Sequence, residues 1–170
     1  QAQSDIGTYR INNINGIVEG GNTFWRVKDK SAPHNAVTST EKILASAERK
    51  GYATTSNQES VLNYVTDEVE LKDGTSANKI TIPYSGANKV NYVYNPETKM
   101  YTRYSKGKLQ TDWITKEEIT TKNIIITKAK NYTLQDNENK GRQGLENIGT
   151  LDGYYITNGM VIPIKCTKNN

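Results

Sequence analysis

An α+β fold dominated by antiparallel sheet, with one capped helix over about residues 39–50, is what this sequence predicts. Three observations carry the prediction. Ile and Val far outnumber Leu, and with Tyr and Thr they favour strands. Short alternating runs recur between turn residues through the second half of the chain. One stretch near the front, and only one, carries both a helix start signal and a helix stop signal. Leu, Ile, Val and Phe make up 33 of the 170 residues, close to the composition at which chains stop folding. A net charge of only +4, together with 11 Tyr and 2 Trp as large apolar bodies, decides for a globular fold with a thin core.

Residues 1–23 are polar and rich in Asn and Gly. The spacing of Ile6, Ile11, Ile14, Ile17 and Val18 suits one short helical turn or docking segment, followed by a loop at Gly20-Gly21-Asn22. Thr23 to Val27 reads as a short strand. Asp29 to Asn35 reads as a loop, because Pro33 lacks an amide donor and biases Ala32 away from helical geometry. The helix follows, with Thr38 as N-cap and Glu41 as its reciprocal partner. Ile43, Leu44 and Ala47 form its apolar face, while Lys42, Ser46, Glu48 and Arg49 point elsewhere. Gly51 supplies the left-handed terminal residue, and Tyr52 can fold back onto the last turn. Ala53 to Glu59 is a polar connector. Val61 to Leu71 fits either periodicity; a strand or extended segment is expected, ending at the turn Lys72-Asp73-Gly74.

Beyond that turn the period-two signal is strong. Lys79 to Tyr84 alternates, with Pro83 marking an edge or strand end. Val90, Tyr92 and Tyr94 alternate next. Asn95-Pro96-Glu97-Thr98 turns the chain into Met100–Tyr104, Lys106-Gly107-Lys108 turns it again, and Trp113 falls in the loop beyond. Asn123 to Thr127 is a continuous apolar run, which argues for a central strand. A strand near Tyr132 and a polar loop from Gln135 to Gly141 precede strands over Gly144–Leu151 and Gly153–Thr157. The last of these pairs with Met160–Cys166 through Asn158-Gly159, the residues a type I′ hairpin turn prefers.

The pI near 9.0 invites a nucleic-acid partner, but the Lys residues are dispersed among Glu and Asp and form no basic stripe, so no nucleic acid is expected. Cys166 is the only cysteine, so no disulfide forms within the chain, and a buried, inert thiol is expected. No apolar run approaches the length of a membrane span. One His and one Cys cannot build a zinc site, and Asp136–Gly141 fails as a calcium loop because Lys140 takes a ligand position. No metal and no cofactor is expected. His34 has the one side chain whose unperturbed pKa lies near neutrality, and with Asp29 and Ser31 it is the candidate for catalysis. Residues so close on one loop rarely reach a nucleophile–base geometry, so a rigid turn is the simpler reading. Arg26, His34, Asn35, Arg142 and Gln143 are the candidate binding residues, the last two as an anion site in Gly141-Arg142-Gln143-Gly144. Tyr84, Tyr92, Tyr94, Tyr101 and Tyr104 lie on consecutive strands; alternation puts Tyr92 and Tyr94 on one face and separates Tyr101 from Tyr104. Any that face outward form an aromatic platform.

Several segments, in order, resemble the YerB-like bacterial lipoprotein family, largely a domain of unknown function. They are Asn13-Ile14-Asn15-Gly16, Phe24-Trp25-Arg26, Ala32-Pro33-His34-Asn35, Thr38-Ser39-Thr40-Glu41, Ile80–Tyr84, Gly141-Arg142-Gln143 and Gly153–Gly159. The resemblance implies a bacterial, extracytoplasmic parent at the cell surface, held to the membrane only through a lipidated Cys upstream of this sequence. It implies the C-terminal part of a first, helix-containing domain over 1–54, a connector over 55–75, and a β-rich second domain over 76–170 that lacks its last strand. Cys166 stands where a Trp is typical. An incomplete sheet leaves edges uncovered, so self-association, or completion by another segment, is expected. Three functions compete. They are an envelope-associated interaction module for a cell-envelope component or protein partner, a hydrolase-like enzyme centred on His34, and a structural subunit assembling through strand edges. The first is preferred.

Overall fold

The protein is described by a computed structural model covering residues 7, 9–60, 62–135, 137–138 and 140–169. Ile6 and Val61, and Asp136 and Asn139 of the rejected calcium loop, lie outside the described residues. The chain divides into two compact units, Gln1–Tyr64 and Val65–Asn170, so the expected connector straddles the division.

In the first unit the expected loop at Gly20 is a 3-10 turn, Gly20–Asn22, closed by the Thr23 amide on the Gly20 carbonyl at 3.3 Å. Of the expected strand over 23–27, only β1 (Trp25–Arg26) forms, paired antiparallel with β2 (Ala36–Val37). Helix α1 runs Thr40–Arg49, and its N-cap is Ser39 rather than Thr38: the Ser39 hydroxyl accepts from the Lys42 amide at 3.4 Å. The Thr38 hydroxyl is taken by another acceptor, the Thr23 carbonyl, at 2.7 Å. The shift puts Lys42 at N3, so Glu41 cannot complete the reciprocal box; it bonds Ser39 instead, which holds its carboxyl below the ordinary range. The other end is as expected. Gly51 has φ of 68°, its amide meets Glu48 at 2.9 Å, and the Tyr52 amide meets Ala47 at 2.9 Å, the paired bonds of a Schellman cap. The buried face differs from the expected one. Ser46 is fully buried beside Ala47, while Leu44 is 48% exposed. Ser46 has an acidic partner on that face, Glu19.

The second unit opens with an irregular segment. No strand forms among the described residues of the ambiguous run before Leu71; Leu62 and Tyr64, at the end of the first unit, and Val65 and Val69 are exposed. Among the described residues eleven strands follow: β3 (Thr75–Ser76), β4 (Lys79–Pro83), β5 (Lys89–Asn95), β6 (Met100–Ser105), β7 (Lys108–Leu109), β8 (Thr120–Thr121), β9 (Asn123–Thr127), β10 (Lys130–Thr133), β11 (Gln143–Glu146), β12 (Gly149–Thr157) and β13 (Met160–Lys168). They form a sheet ordered β4-β5-β6-β7, with β8 also on β6, a sheet ordered β3-β13-β12-β9, and the separate hairpin β10-β11. All pairings are antiparallel. The expected strand over Gly144–Leu151 is cut at Asn147-Ile148, and its end belongs to β12, which runs unbroken through Gly153. The Asn158-Gly159 turn forms as expected, with φ of 49° and 73°.

The two sheets meet through a small core of Ala77, Tyr101, Ile124 and Ile156, flanked by Ile80, Tyr92, Tyr94, Ile126, Tyr154 and Val161. Alternation explains which residues enter it. Tyr92 and Tyr94 share the inner face of β5, and Tyr101, opposite Tyr94 in the register, is fully buried with ring centroids 5.1 Å apart. Tyr104 takes the other face of β6, and Tyr84 is 72% exposed. Cys166 is only half-buried, opposite Leu151 on the outer face of the four-stranded sheet, rather than a core thiol. The expectation that Asn123–Thr127 is central is overturned: β9 lies at the edge of its sheet. Its apolar continuity has a different cause. Ile124 and Ile126 face the core, while Ile125 faces out and is 55% exposed.

Candidate functional site

The residues singled out around His34 form a turn and its braces. The His34 amide donates to the Ser31 carbonyl at 3.0 Å and the Val27 amide to the Asn35 carbonyl at 2.9 Å, closing the loop between β1 and β2. Arg26 donates Nη1 to Asn35 Oδ1 at 2.6 Å, and Asn35 Nδ2 donates to the Val27 carbonyl at 3.1 Å, so both candidate binding side chains are used within the hairpin. His34, Asp29 and Ser31 are exposed, and among the described residues no hydrogen bond joins their side chains. The loop therefore holds neither a nucleophile activated by a base nor a base held by a third group.

The densest polar cluster of the first unit is one the sequence did not single out. Glu19, whose side chain is 8% exposed, accepts from Ser46 Oγ at 2.7 Å and from Lys50 Nζ at 2.7 Å; Arg49 and Thr23 each approach its Oε2 at 3.4 Å. The bonds to Lys50 and Ser46, reinforced by the charges of Lys50 and Arg49, hold the Glu19 carboxyl below its usual range against the opposing effect of burial. Both carboxylate oxygens are engaged, so the cluster is a clasp between the 3-10 turn and α1.

In the second unit, Arg142 pairs with Glu138, and Gln143 donates to Thr133 Oγ1 at 3.1 Å and to the Gly141 carbonyl at 2.8 Å. Both residues are thus tied into the β10-β11 hairpin. Glu68 receives Lys99 and Lys122, and Lys122 also donates to Asn158 Oδ1 at 2.6 Å, which fastens the irregular segment beside the Asn158-Gly159 turn. Those two lysines hold the Glu68 carboxyl low. A groove of about 440 Å³ on the four-stranded sheet is lined by Lys128, Asp152, Tyr154, Pro163 and Lys165. Its polar groups are engaged within it: Lys128 donates to Tyr154 Oη at 2.9 Å, and Lys165 pairs with Asp152.

The free side of β9 is different. The Lys128 amide donates to the Asp152 carbonyl at 2.8 Å, in register with the Thr127–Gly153 pair. Antiparallel alternation then points the backbone of Ile124 and Ile126 at β12, and that of Asn123, Ile125 and Thr127 away from it. Thr121 Oγ1 caps the Asn123 carbonyl at 3.0 Å. Among the described residues no strand covers the rest of this edge. A groove of about 300 Å³ runs beside it, lined by Tyr92, Arg103, Ile119, Thr120, Thr121 and β9 itself. Arg103 donates Nε to Tyr92 Oη at 3.3 Å, and among the described residues its two terminal amino groups bond no side chain. Outward on the sheet, Ile125 stands in one cross-strand row with half-buried Tyr155 and Ile162. The sequence carries no signal for this edge, which the apolar run conceals.

Comparison with known proteins agrees with this architecture. The family described as Protein of unknown function (DUF3048), N-terminal domain, matches residues 1–53, and the corresponding C-terminal domain matches residues 80–170. The Bacillus subtilis protein named "Putative lipoprotein YerB" is 28% identical over 167 residues, covering 91% of this chain and 50% of the relative. The crystal structure of the YerB protein from Bacillus subtilis superposes with a TM-score of 0.76 at 27% identity, over 98% of this chain and 55% of that one. The chain thus spans about half the length of the relative it matches. On these matches the chain belongs to the DUF3048 family of YerB-like proteins, whose function is unknown.

Proposed function

We propose that this chain is an interaction module of the bacterial cell envelope, working outside the cytoplasm as part of a lipid-anchored parent and without catalysis of its own. The observation that carries the reading is the apolar row Ile125–Tyr155–Ile162 on the outer face of the four-stranded sheet, exposed at Ile125, where among the described residues no strand covers the edge. Apolar surface beside an open strand edge is what a binding surface for a protein partner presents. Kinship to a protein named as a lipoprotein supports the compartment. The hydrolase alternative needs His34, Asp29 and Ser31 to converge, and their side chains share no hydrogen bond.

Retention on purified bacterial envelopes, as cell-wall sacculi and as membrane vesicles, tests the proposal across a salt series. Saturable retention of the chain is expected. Failure to be retained on either material at any salt concentration overturns it.

A further inference from the structure

We propose that the β9 edge binds an extended polypeptide segment by strand addition, with an acidic side chain of that segment meeting Arg103. The inference rests on the interaction-module reading and names the partner's chemistry. Backbone geometry supplies the first half. Ile125 and Thr127 direct N–H and C=O groups outward, and a partner strand lying antiparallel satisfies them in pairs. Residues 123–127 contain no charge and no proline, two of the guards that edge strands use. The edge strand of the opposite sheet, β4, is of the same length but begins with Lys79 and ends in Pro83.

Side-chain chemistry supplies the second half. A residue placed across from Ile125 lies on the outer face beside the Ile125–Tyr155–Ile162 row, which favours an apolar side chain. Its two neighbours turn inward, over the groove that holds Arg103. A guanidinium held by Nε alone presents its remaining fork to a carboxylate. A second copy of this chain fits less well. Centred on Ile125, it would bring Ile124 and Ile126, which are committed to its own core, and would set Lys122 opposite Lys128.

The test uses the peptide acetyl-Thr-Glu-Ile-Glu-Thr-amide, observed by amide hydrogen exchange and NMR titration of the whole chain. Slower exchange at Ile125 and Thr127 is expected, with loss of that protection when the central peptide nitrogen is methylated. Replacing both peptide Glu by Lys should weaken binding about tenfold, and Arg103→Gln should abolish the preference between the two peptides. An Ile125→Lys variant, which places a charge on an exposed edge without opening the core, should bind neither. Unchanged exchange at Ile125 and Thr127 at millimolar peptide, or equal protection by the methylated peptide, overturns strand addition. An unaltered peptide preference in Arg103→Gln overturns the role of Arg103. The peptide experiment decides the edge and envelope retention decides the module reading, so either can fail alone.

Discussion

Replacing Tyr101 by Phe should leave the second unit as stable as before or more so, although Tyr101 is its most buried large side chain. The ring is fully enclosed between the sheets and stacks at a tilt on Tyr94. Its hydroxyl is enclosed with it and forms no well-shaped hydrogen bond. A buried hydroxyl without a partner costs about 1–3 kcal/mol in lost hydration, whereas the ring itself is worth about 3–5 kcal/mol against Ala. Deleting only the oxygen keeps the ring and removes the penalty, less a small void, for an expected gain of about 1 kcal/mol. The Gly159 backbone is the competing consideration. Burial pushes the phenol's pKa up, and the nearby Gly159 amide draws it part of the way back. Were that amide a full hydrogen bond, the substitution would instead lose about 1 kcal/mol, so the sign of the change separates the two cases. Urea unfolding at neutral pH reads it directly. Alkaline pH gives a second reading. A phenol whose folded pKa is raised holds its proton longer in the fold, so its contribution is complete below the ordinary value of 10.0 and is lost as pH rises through the folded value. The wild-type chain should lose more stability above pH 10 than the Phe variant does. A neutral-pH loss of about 1 kcal/mol or more, with parallel alkaline limbs, would refute the reasoning.

Three other substitutions probe the supports of the fold. Glu19→Gln should flatten the acid limb of the first unit: the Glu19 carboxyl is depressed, so its contribution is present above the ordinary value of 4.5 and lost as pH falls through the folded value, and exchange at the Lys50 amide should follow that loss in the wild type only. Gly51→Ala places a side chain at φ of 68° and should cost about 1 kcal/mol by thermal unfolding, with D-Ala at the same position close to neutral. Gly153→Ala puts a Cβ 2.5 Å from the Ile126 carbonyl oxygen and 3.1 Å from Cys166 Sγ, so β9 or β12 must shift; a loss of about 1–3 kcal/mol is expected, with the largest amide shifts along β9.

What the sequence disclosed about this fold is what local chemistry determines. The Schellman cap at Gly51, the I′ turn at Asn158-Gly159 and the partition of the tyrosines each follow from a few neighbouring residues, and each formed as read. The misreadings share another origin, in partners distant along the chain. Thr38 has the chemistry of an N-cap, but the Thr23 carbonyl, 15 positions earlier, claims its hydroxyl and leaves the cap to Ser39. Ser46 reads as solvent-facing until Glu19, 27 positions away, draws it inward. Arg26, Asn35, Arg142 and Gln143, the candidate binding residues, have partners near them in the chain, within the hairpins on which they sit. The apolar run at β9 is the most consequential case. Three consecutive isoleucines imply burial on both faces, and a strand buried on both faces belongs in the middle of a sheet. Here the middle isoleucine faces solvent at an edge that no strand covers among the described residues. A side chain that neither the core nor the hairpins require, beside an arginine held by a single nitrogen, is the part of this molecule that packing does not explain. That is why the binding proposal rests there rather than on His34, where the sequence had drawn attention.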